Sequence, residues 1–412
     1  MKSRKHLALG LTVFLFWFPV ALETVTVHSA YASTRDVHEQ NSEDIQTLDH
    51  FVPHISTVPA NQDEHVELFV RERFQDDPQG KRGQPASGRS RPHNLKPAVL
   101  MVQGATQPTL SIFDLPFEDY SWMAFLARAG FDVFAMDLTG YGRSVRPKMD
   151  DPCNTTETEQ RRLLIPNPLQ KVCSPSYPFR LTTSQTDWDE MDTVVDYIRQ
   201  LRGIEKVSLV GWSLGGPRAG GYGARHPEKV DKMFLYAPDY DRKEPSEPAG
   251  VLPQSGVPMT VRTVASFFQG WDSQVRCENQ FAPPIRDTLR STILASDPVG
   301  STWGTEPLWR APVQNTRWGW NSTFARQVEA PTLIIRGDLD TTVPEVRPKS
   351  LFQDLETQRV FVHVACAAHQ LVWESQHTVL LRASKEWLRN GTFARQQNGS
   401  FFVDSDGKVH QE

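Results

Sequence analysis

Four cysteines in 412 residues are few, and they form no Cys-x-x-Cys pair; no His-Glu-x-x-His segment occurs either. The common zinc-site patterns are therefore missing, and neither a metal nor an organic cofactor is expected. Positive charge is scarce as well: 44 Lys and Arg against 49 Asp and Glu leave a formal charge of -5. That balance argues against a nucleic-acid partner, which needs a basic footprint. Long apolar runs are the third lack. Uncharged Leu7 to Leu22 falls short of the roughly 20 residues a helix needs to span a bilayer, so no stable membrane insertion is expected.

The N-terminus instead carries an export pattern. Lys2, Arg4 and Lys5 precede the apolar run, and Ala30-Tyr31-Ala32 supplies small residues for cleavage before Ser33. Residues 1–32 are read as a signal peptide, giving a secreted or periplasmic protein. No cysteine lies near the cleavage point, so lipid attachment there is not expected. Export permits disulfides. Cys153 and Cys173 bracket a polar, proline-bounded segment that a local bridge would tie down; Cys277 and Cys366 either pair or remain reduced. In a eukaryotic source, the Asn-x-Ser/Thr sequences at Asn154, Asn321, Asn390 and Asn398 would be glycan acceptors.

One stretch organises the rest. Val207-Ser208-Leu209-Val210 is a short apolar run that ends at Gly211-Trp212-Ser213-Leu214-Gly215-Gly216. A buried strand, a tight turn and a closely packed helix are expected there. Gly-x-Ser-x-Gly at such a turn lifts a serine hydroxyl above the sheet edge, with the Leu214 N–H aimed at the same space from the helix start.

Around it the chain alternates strands and helices. Residues 33–96 are an N-terminal extension with a first strand at His65 to Phe74; Ser33 to Leu48 is polar and expected to be loosely held, and Gln75 to Pro97 reads as a surface connection. Residues 97–238 form the first part of the core. Ala98 to Val102 and Phe131 to Asp137 are strands around a helix from Phe117 to Ala129, the spacing of a parallel sheet with crossover helices. Residues 150–179 interrupt it. A helix beginning near Thr183, with Ser184 and Asp187 as a capping pair, presents Trp188, Met191, Val195, Ile198 and Leu201 on one face. After the strand Val230 to Tyr236 the rhythm stops. Residues 239–329 hold Trp271, Trp303, Trp309, Trp318 and Trp320 and read as a helical lid. Residues 330–412 return to the core, with strands at Pro331 to Asp340 and Arg359 to Val364, a helix from Gln376 to Arg389 and a tail hairpin at Gly399 to Val409.

A serine hydroxyl is a weak nucleophile without a base, and the base needs an acid to set its tautomer. Ser213, Asp340 and His369 occur in that order, each beyond the C-terminal end of an expected strand, where sites on open α/β sheets assemble. Asp338 and Asp239 compete for the acid, His363 for the base. Leu214 and Ala105, the latter in Gln103-Gly104-Ala105-Thr106, are the expected backbone donors to an oxyanion. Trp212 and Thr106 are expected to border the substrate.

Together, Gly211 to Gly216, the segment Gly130 to Ser144, the Gly337 to Asp340 loop and His369 resemble the α/β-hydrolase superfamily over about Pro97 to Arg389. The resemblance implies a mostly parallel eight-stranded sheet flanked by helices and the lid-bearing branch, with Ser213, Asp340 and His369 as a triad. Gln103 departs from the histidine many members carry there. Epoxide hydrolases and dehalogenases of this branch use an aspartate nucleophile, so Ser213 points instead to carboxylic-ester hydrolysis of a small molecule through an acyl-enzyme. Aminopeptidase or amidase activity, with Glu244, Glu247 or Glu278 holding a substrate ammonium, and carbon–carbon bond hydrolysis are the alternatives; a non-catalytic binding protein is a third.

Overall fold

The computed structural model describes residues 45–75, 96–313 and 316–412. The expected signal peptide, and all but the ends of the Gln75 to Pro97 connection, lie outside the described residues. No helix among the described residues is long and apolar enough to cross a membrane.

Among the described residues there are twelve strands: β1 (Ile45–Ile55), β2 (His65–Gln75), β3 (Ala98–Val102), β4 (Asp132–Met136), β5 (Val207–Trp212), β6 (Val230–Tyr236), β7 (Met259–Thr263), β8 (Leu308–Pro312), β9 (Thr332–Gly337), β10 (Arg359–Val364), β11 (Gly399–Val403) and β12 (Val409–Gln411). Ten of them form one sheet in the order β1-β2-β4-β3-β5-β6-β9-β10-β11-β12. Strands β3, β4, β5, β6, β9, β10 and β11 run parallel, while β1, β2 and β12 pair antiparallel with their neighbours. The eight expected strands are thus widened by the tail hairpin β11–β12. Every residue of β3, β4, β5 and β9 is buried. Helices cover both faces, which is why these strands read as mostly apolar runs without polar alternation.

The sheet's order explains where a site can form. From β3 the chain passes to β4 on one side, then returns to β5 on the other. The crevice at the C-terminal ends of β3 and β5 is therefore a topological switch point. Gly104 and Ser213 meet there: a Cβ added at Gly104 would lie 3.1 Å from the Ser213 Cβ.

Four local expectations change. Residues 45–48 are not loose but begin β1, which is paired along its length with β2. As an edge strand, β1 buries only Val52 and His54, so little apolar alternation marks it. The helix Ser184–Arg202 is capped by Thr183 and Thr186, not by Ser184 and Asp187. Asp187 faces inward to Arg218, and Ser184 Oγ accepts from the Trp318 N–H. Leu201, expected on the buried face, is 41% exposed at the last turn. Asn154 and Asn321 are also buried and hydrogen-bonded through their amides, which leaves them closed to glycan attachment in the folded chain.

The segment between β6 and β9 is only partly helical. It contains helices Val264–Asp272 and Ile285–Ala295, and an antiparallel ribbon of β7 and β8. Its five tryptophans are all buried, but in three separate clusters. Trp271 and Trp309 join the main core beneath the candidate site, rather than forming a private core of the insertion.

Glu190 illustrates a cost inside this fold. Its Oε2 accepts from the Thr139 N–H at 2.8 Å, while Oε1 has no partner among the described residues. Burial pushes its carboxyl from 4.5 up to about 8. Between those values the native state holds a proton that the unfolded state has released, so stability declines as pH rises through that interval. Glu190→Gln keeps the shape without the ionisation. Denaturant melts at pH 6 and pH 9 are expected to show wild type losing a few kcal/mol more than the variant. Equal losses would mean that Glu190 is not the titrating group.

Candidate active site

The turn after β5 carries Ser213 at φ 54°, a left-handed conformation that costs a non-glycine residue about 1–3 kcal/mol. Surrounding contacts hold it there. Ser213 N donates to Tyr236 O at 2.9 Å, and Asp239 N donates to Ser213 O at 3.0 Å. The flanking glycines are required by close approach: a Cβ at Gly211 would meet Gly215 O at 2.3 Å, and one at Gly215 would meet Val102 O at 2.4 Å. The helix Gly215–Arg225 can therefore start directly against β3.

Asp340 and His369 come together from the loops after β9 and β10. Gly337 lets these loops cross, since a Cβ there would lie 2.0 Å from Ala367 O. Leu339 N then donates to Ala367 O at 2.9 Å. Asp340 Oδ2 lies 2.9 Å from His369 Nδ1, and Oδ1 accepts from the Thr342 and Val343 N–H groups at 2.9 and 3.0 Å. The histidine backbone is fixed as well, because Tyr236 Oη and Trp212 Nε1 both donate to His369 O. With Nδ1 committed to Asp340, Nε2 is the ring nitrogen left for a proton transfer. Among the described residues no hydrogen bond joins Ser213 Oγ to the His369 ring; contacts of this kind commonly tighten when substrate binds.

The rival residues are occupied elsewhere. Asp338 is exposed, and its Oδ1 accepts from the Ala367 N–H. Asp239 pairs with Arg317 and Arg347. His363 lies between Glu345 and Glu412. Glu244 is buried against Arg317 and the Trp320 N–H, and burial pushes its carboxyl up to about 7; Glu247 and Glu278 are exposed.

Neither the Leu214 nor the Ala105 N–H has an acceptor among the described residues. Thr106 is half-buried beside them at φ 65°, and its carbonyl accepts from Trp309 Nε1 at 2.8 Å. Trp212 does not border an open cleft as expected. It is 3% exposed, stacks on Tyr236 and supports His369 from below. Being next to the serine in sequence, it points to the opposite side of the turn. Gln103, with its amide oriented by its neighbours, donates to Met136 O at 2.8 Å and accepts from Leu138 N at 3.0 Å. It ties β3 to the end of β4 at the position where this sequence departs from the resemblance.

Several residues that shape the site carry no sequence signal. Gln274 Oε1 accepts from the Thr341 N–H at 3.0 Å and from the His369 N–H at 3.4 Å, so one side chain of the insertion bridges the acid and histidine loops. Glu374 accepts from Trp271 Nε1, Gln280 Nε2 and the Ala368 N–H. Burial pushes its carboxyl up to about 7. Cys277 and Cys366 are bonded, as are Cys153 and Cys173. The sequence left the pairing of Cys277 with Cys366 open, and the bond ties the insertion to the histidine loop. Among the described residues no three His, Cys, Asp or Glu side chains converge as a metal site would require.

Comparison with known proteins agrees with this architecture. The profile of the alpha/beta hydrolase fold matches residues 97–376, more than half of the chain. Abhydrolase domain-containing protein abhd-5.2 of Caenorhabditis elegans is 30% identical over 109 residues, which are 26% of this chain and 17% of that relative. The match thus spans far less than two-thirds of that protein. Among solved structures, 2-hydroxy-6-oxo-6-phenylhexa-2,4-dienoate hydrolase from Rhodococcus sp. strain RHA1 is similar over 83% of this chain and 99% of its own, with a TM-score of 0.47 and 16% identity. A thermophilic esterase from Thermogutta terrifontis is similar over 82% of this chain and 98% of its own, with a TM-score of 0.45 and 16% identity. By its profile match, the chain belongs to the α/β-hydrolase fold family.

Proposed function

We propose that this protein is a secreted or periplasmic serine hydrolase that cleaves carboxylic esters of small molecules. The observation that carries the reading is the strained Ser213 at the β5 turn, on a sheet edge where His369 is bonded to Asp340 at 2.9 Å. Ser213 Oγ attacks the ester carbonyl as His369 Nε2 takes its proton, and Asp340 stabilises the imidazolium. The Leu214 and Ala105 N–H groups receive the oxyanion. His369 returns the proton to the leaving alkoxide, and water then releases the acid by the same steps. Serine at the elbow supports acyl transfer over the chemistry of an aspartate nucleophile. Two disulfides are compatible with an oxidising compartment. The buried pairing of Glu244 with Arg317 leaves that carboxylate poorly suited to an aminopeptidase's substrate ammonium.

The test is covalent labelling of purified protein by a fluorophosphonate, with the adduct mapped by mass spectrometry, alongside turnover of p-nitrophenyl acetate, p-nitrophenyl butyrate and amino-acid β-naphthylamides. An adduct on Ser213 and ester turnover well above amide turnover are expected. No adduct, with neither ester cleaved, would sink the proposal.

A further inference from the structure

The peptide that carries the Ala105 N–H is gripped from behind. Arg218 lies five residues after Ser213 on the helix Gly215–Arg225 and is 4% exposed. Its Nη1 donates to Gln103 O at 2.9 Å and to Gly104 O at 3.2 Å. Its Nε donates to Asp187 Oδ2 at 2.8 Å, and Nη2 lies 3.4 Å from the Tyr141 hydroxyl. Burial works against the guanidinium's charge, but Asp187 and Tyr141 outweigh it and hold it above arginine's ordinary range. The neighbouring carbonyls are also committed: Ala105 O accepts from Gln107 N at 2.8 Å, and Thr106 O from Trp309.

In a trans peptide the C=O of one residue and the N–H of the next point in opposite directions. A cation bound at Gly104 O therefore turns the Ala105 N–H away from Arg218 and draws electron density toward the carbonyl end. This makes the N–H a better donor. We propose that Arg218, with Asp187 as counter-ion, is a positioning residue of the oxyanion hole, fixing and polarising the Gly104–Ala105 peptide. The proposal rests on the ester-hydrolase reading. Removing a buried ion pair that served the fold alone would change stability without discriminating between transition state and ground state.

Arg218→Met/Asp187→Asn removes the pair without stranding a buried charge, and Arg218→Lys restores one donor. For the double variant, kcat on p-nitrophenyl acetate is expected to fall about 30- to 100-fold with KM within about threefold. Phenylboronic acid, which forms a tetrahedral adduct on the serine, is expected to weaken in parallel, while the affinity of acetate as product stays within about threefold. Arg218→Lys is expected to recover about tenfold of the lost rate. The Ala105 amide resonance, followed in protein labelled with 15N-alanine, is expected to move in the double variant.

An unmoved Ala105 resonance, or a loss of kcat without the parallel loss of boronate affinity, overturns the proposal. If the double variant does not fold, Arg218→Lys carries the test against wild type. Expected there is a kcat about three- to tenfold below wild type, with boronate following; no change in either overturns it. Failure of the ester-hydrolase reading is distinct, because wild type would then show no Ser213 adduct and no turnover, while the amide resonance still reports whether Arg218 holds the peptide.

Discussion

Asp340→Asn is expected to lower kcat on a p-nitrophenyl ester by about four orders of magnitude while leaving the fold intact. The local geometry supplies the reason. Thr342 N and Val343 N both donate to Oδ1, so an asparagine keeps its oxygen there and its amide nitrogen replaces Oδ2. That nitrogen donates a hydrogen to His369 Nδ1, where a carboxylate accepts one. The imidazole is driven into the tautomer with its proton on Nε2, which cannot take a proton from Ser213. Steady-state kinetics beside a thermal melt decide the matter. A kcat within tenfold of wild type would remove Asp340 from the mechanism. Asp338→Asn is the control: its exposed carboxylate accepts from the Ala367 N–H and makes no hydrogen bond to His369 among the described residues, and kcat is expected to stay within about threefold.

Opening the bridge between Cys277 and Cys366, by Cys277→Ala/Cys366→Ala, is expected to cost about 4.6 kcal/mol in the chain-entropy account of a loop this long. The bridge spans 89 positions and joins the insertion to the loop three residues before His369. Gln274 and Gln280 make their contacts with the acid and histidine loops from the same short segment. Loss of the bridge should therefore loosen that segment and lower kcat as well as stability. Removing Cys153–Cys173, with a separation of 20, is expected to cost stability of similar order, about 3 kcal/mol, yet leave kcat near wild type. Its neighbours are Asp151 and Gln160, not the loops around His369. Urea melts and kinetics on both double variants test this contrast; equal losses of kcat would refute it.

These expectations also bear on what the insertion does. Trp309 of β8 holds Thr106 O, and Trp271 and Gln280 hold Glu374. The segment between β6 and β9 is thus tied to the loop after β3 on one side and the histidine loop on the other. Phe267 packs edge-on against both Trp309 and Trp373, adding an aromatic layer between the two attachments. Trp309, Trp271 and Gln280 thus stand one or two hydrogen bonds from the loops that carry Thr106 and His369.

The local order of the chain was legible before any coordinates. Strands β3, β4, β5, β9 and β10 announce themselves because strands buried on both faces need continuous apolar runs. The β5 turn announces itself because Gly211 and Gly215 stand where backbone atoms would collide with a Cβ. Ser213, Asp340 and His369 could be nominated because each follows such a strand. Tertiary structure decided which acid faces the histidine and whether Cys277 pairs with Cys366. It also buried Trp212 against His369, and it brought Gln274, Glu374 and Arg218 into hydrogen bonds with the loops after β9, β10 and β3. The physical reason is one of range. Burial and backbone crowding act on neighbours along the chain and leave a periodic trace, whereas a hydrogen bond from Gln274 to the His369 N–H joins residues 95 apart and leaves none.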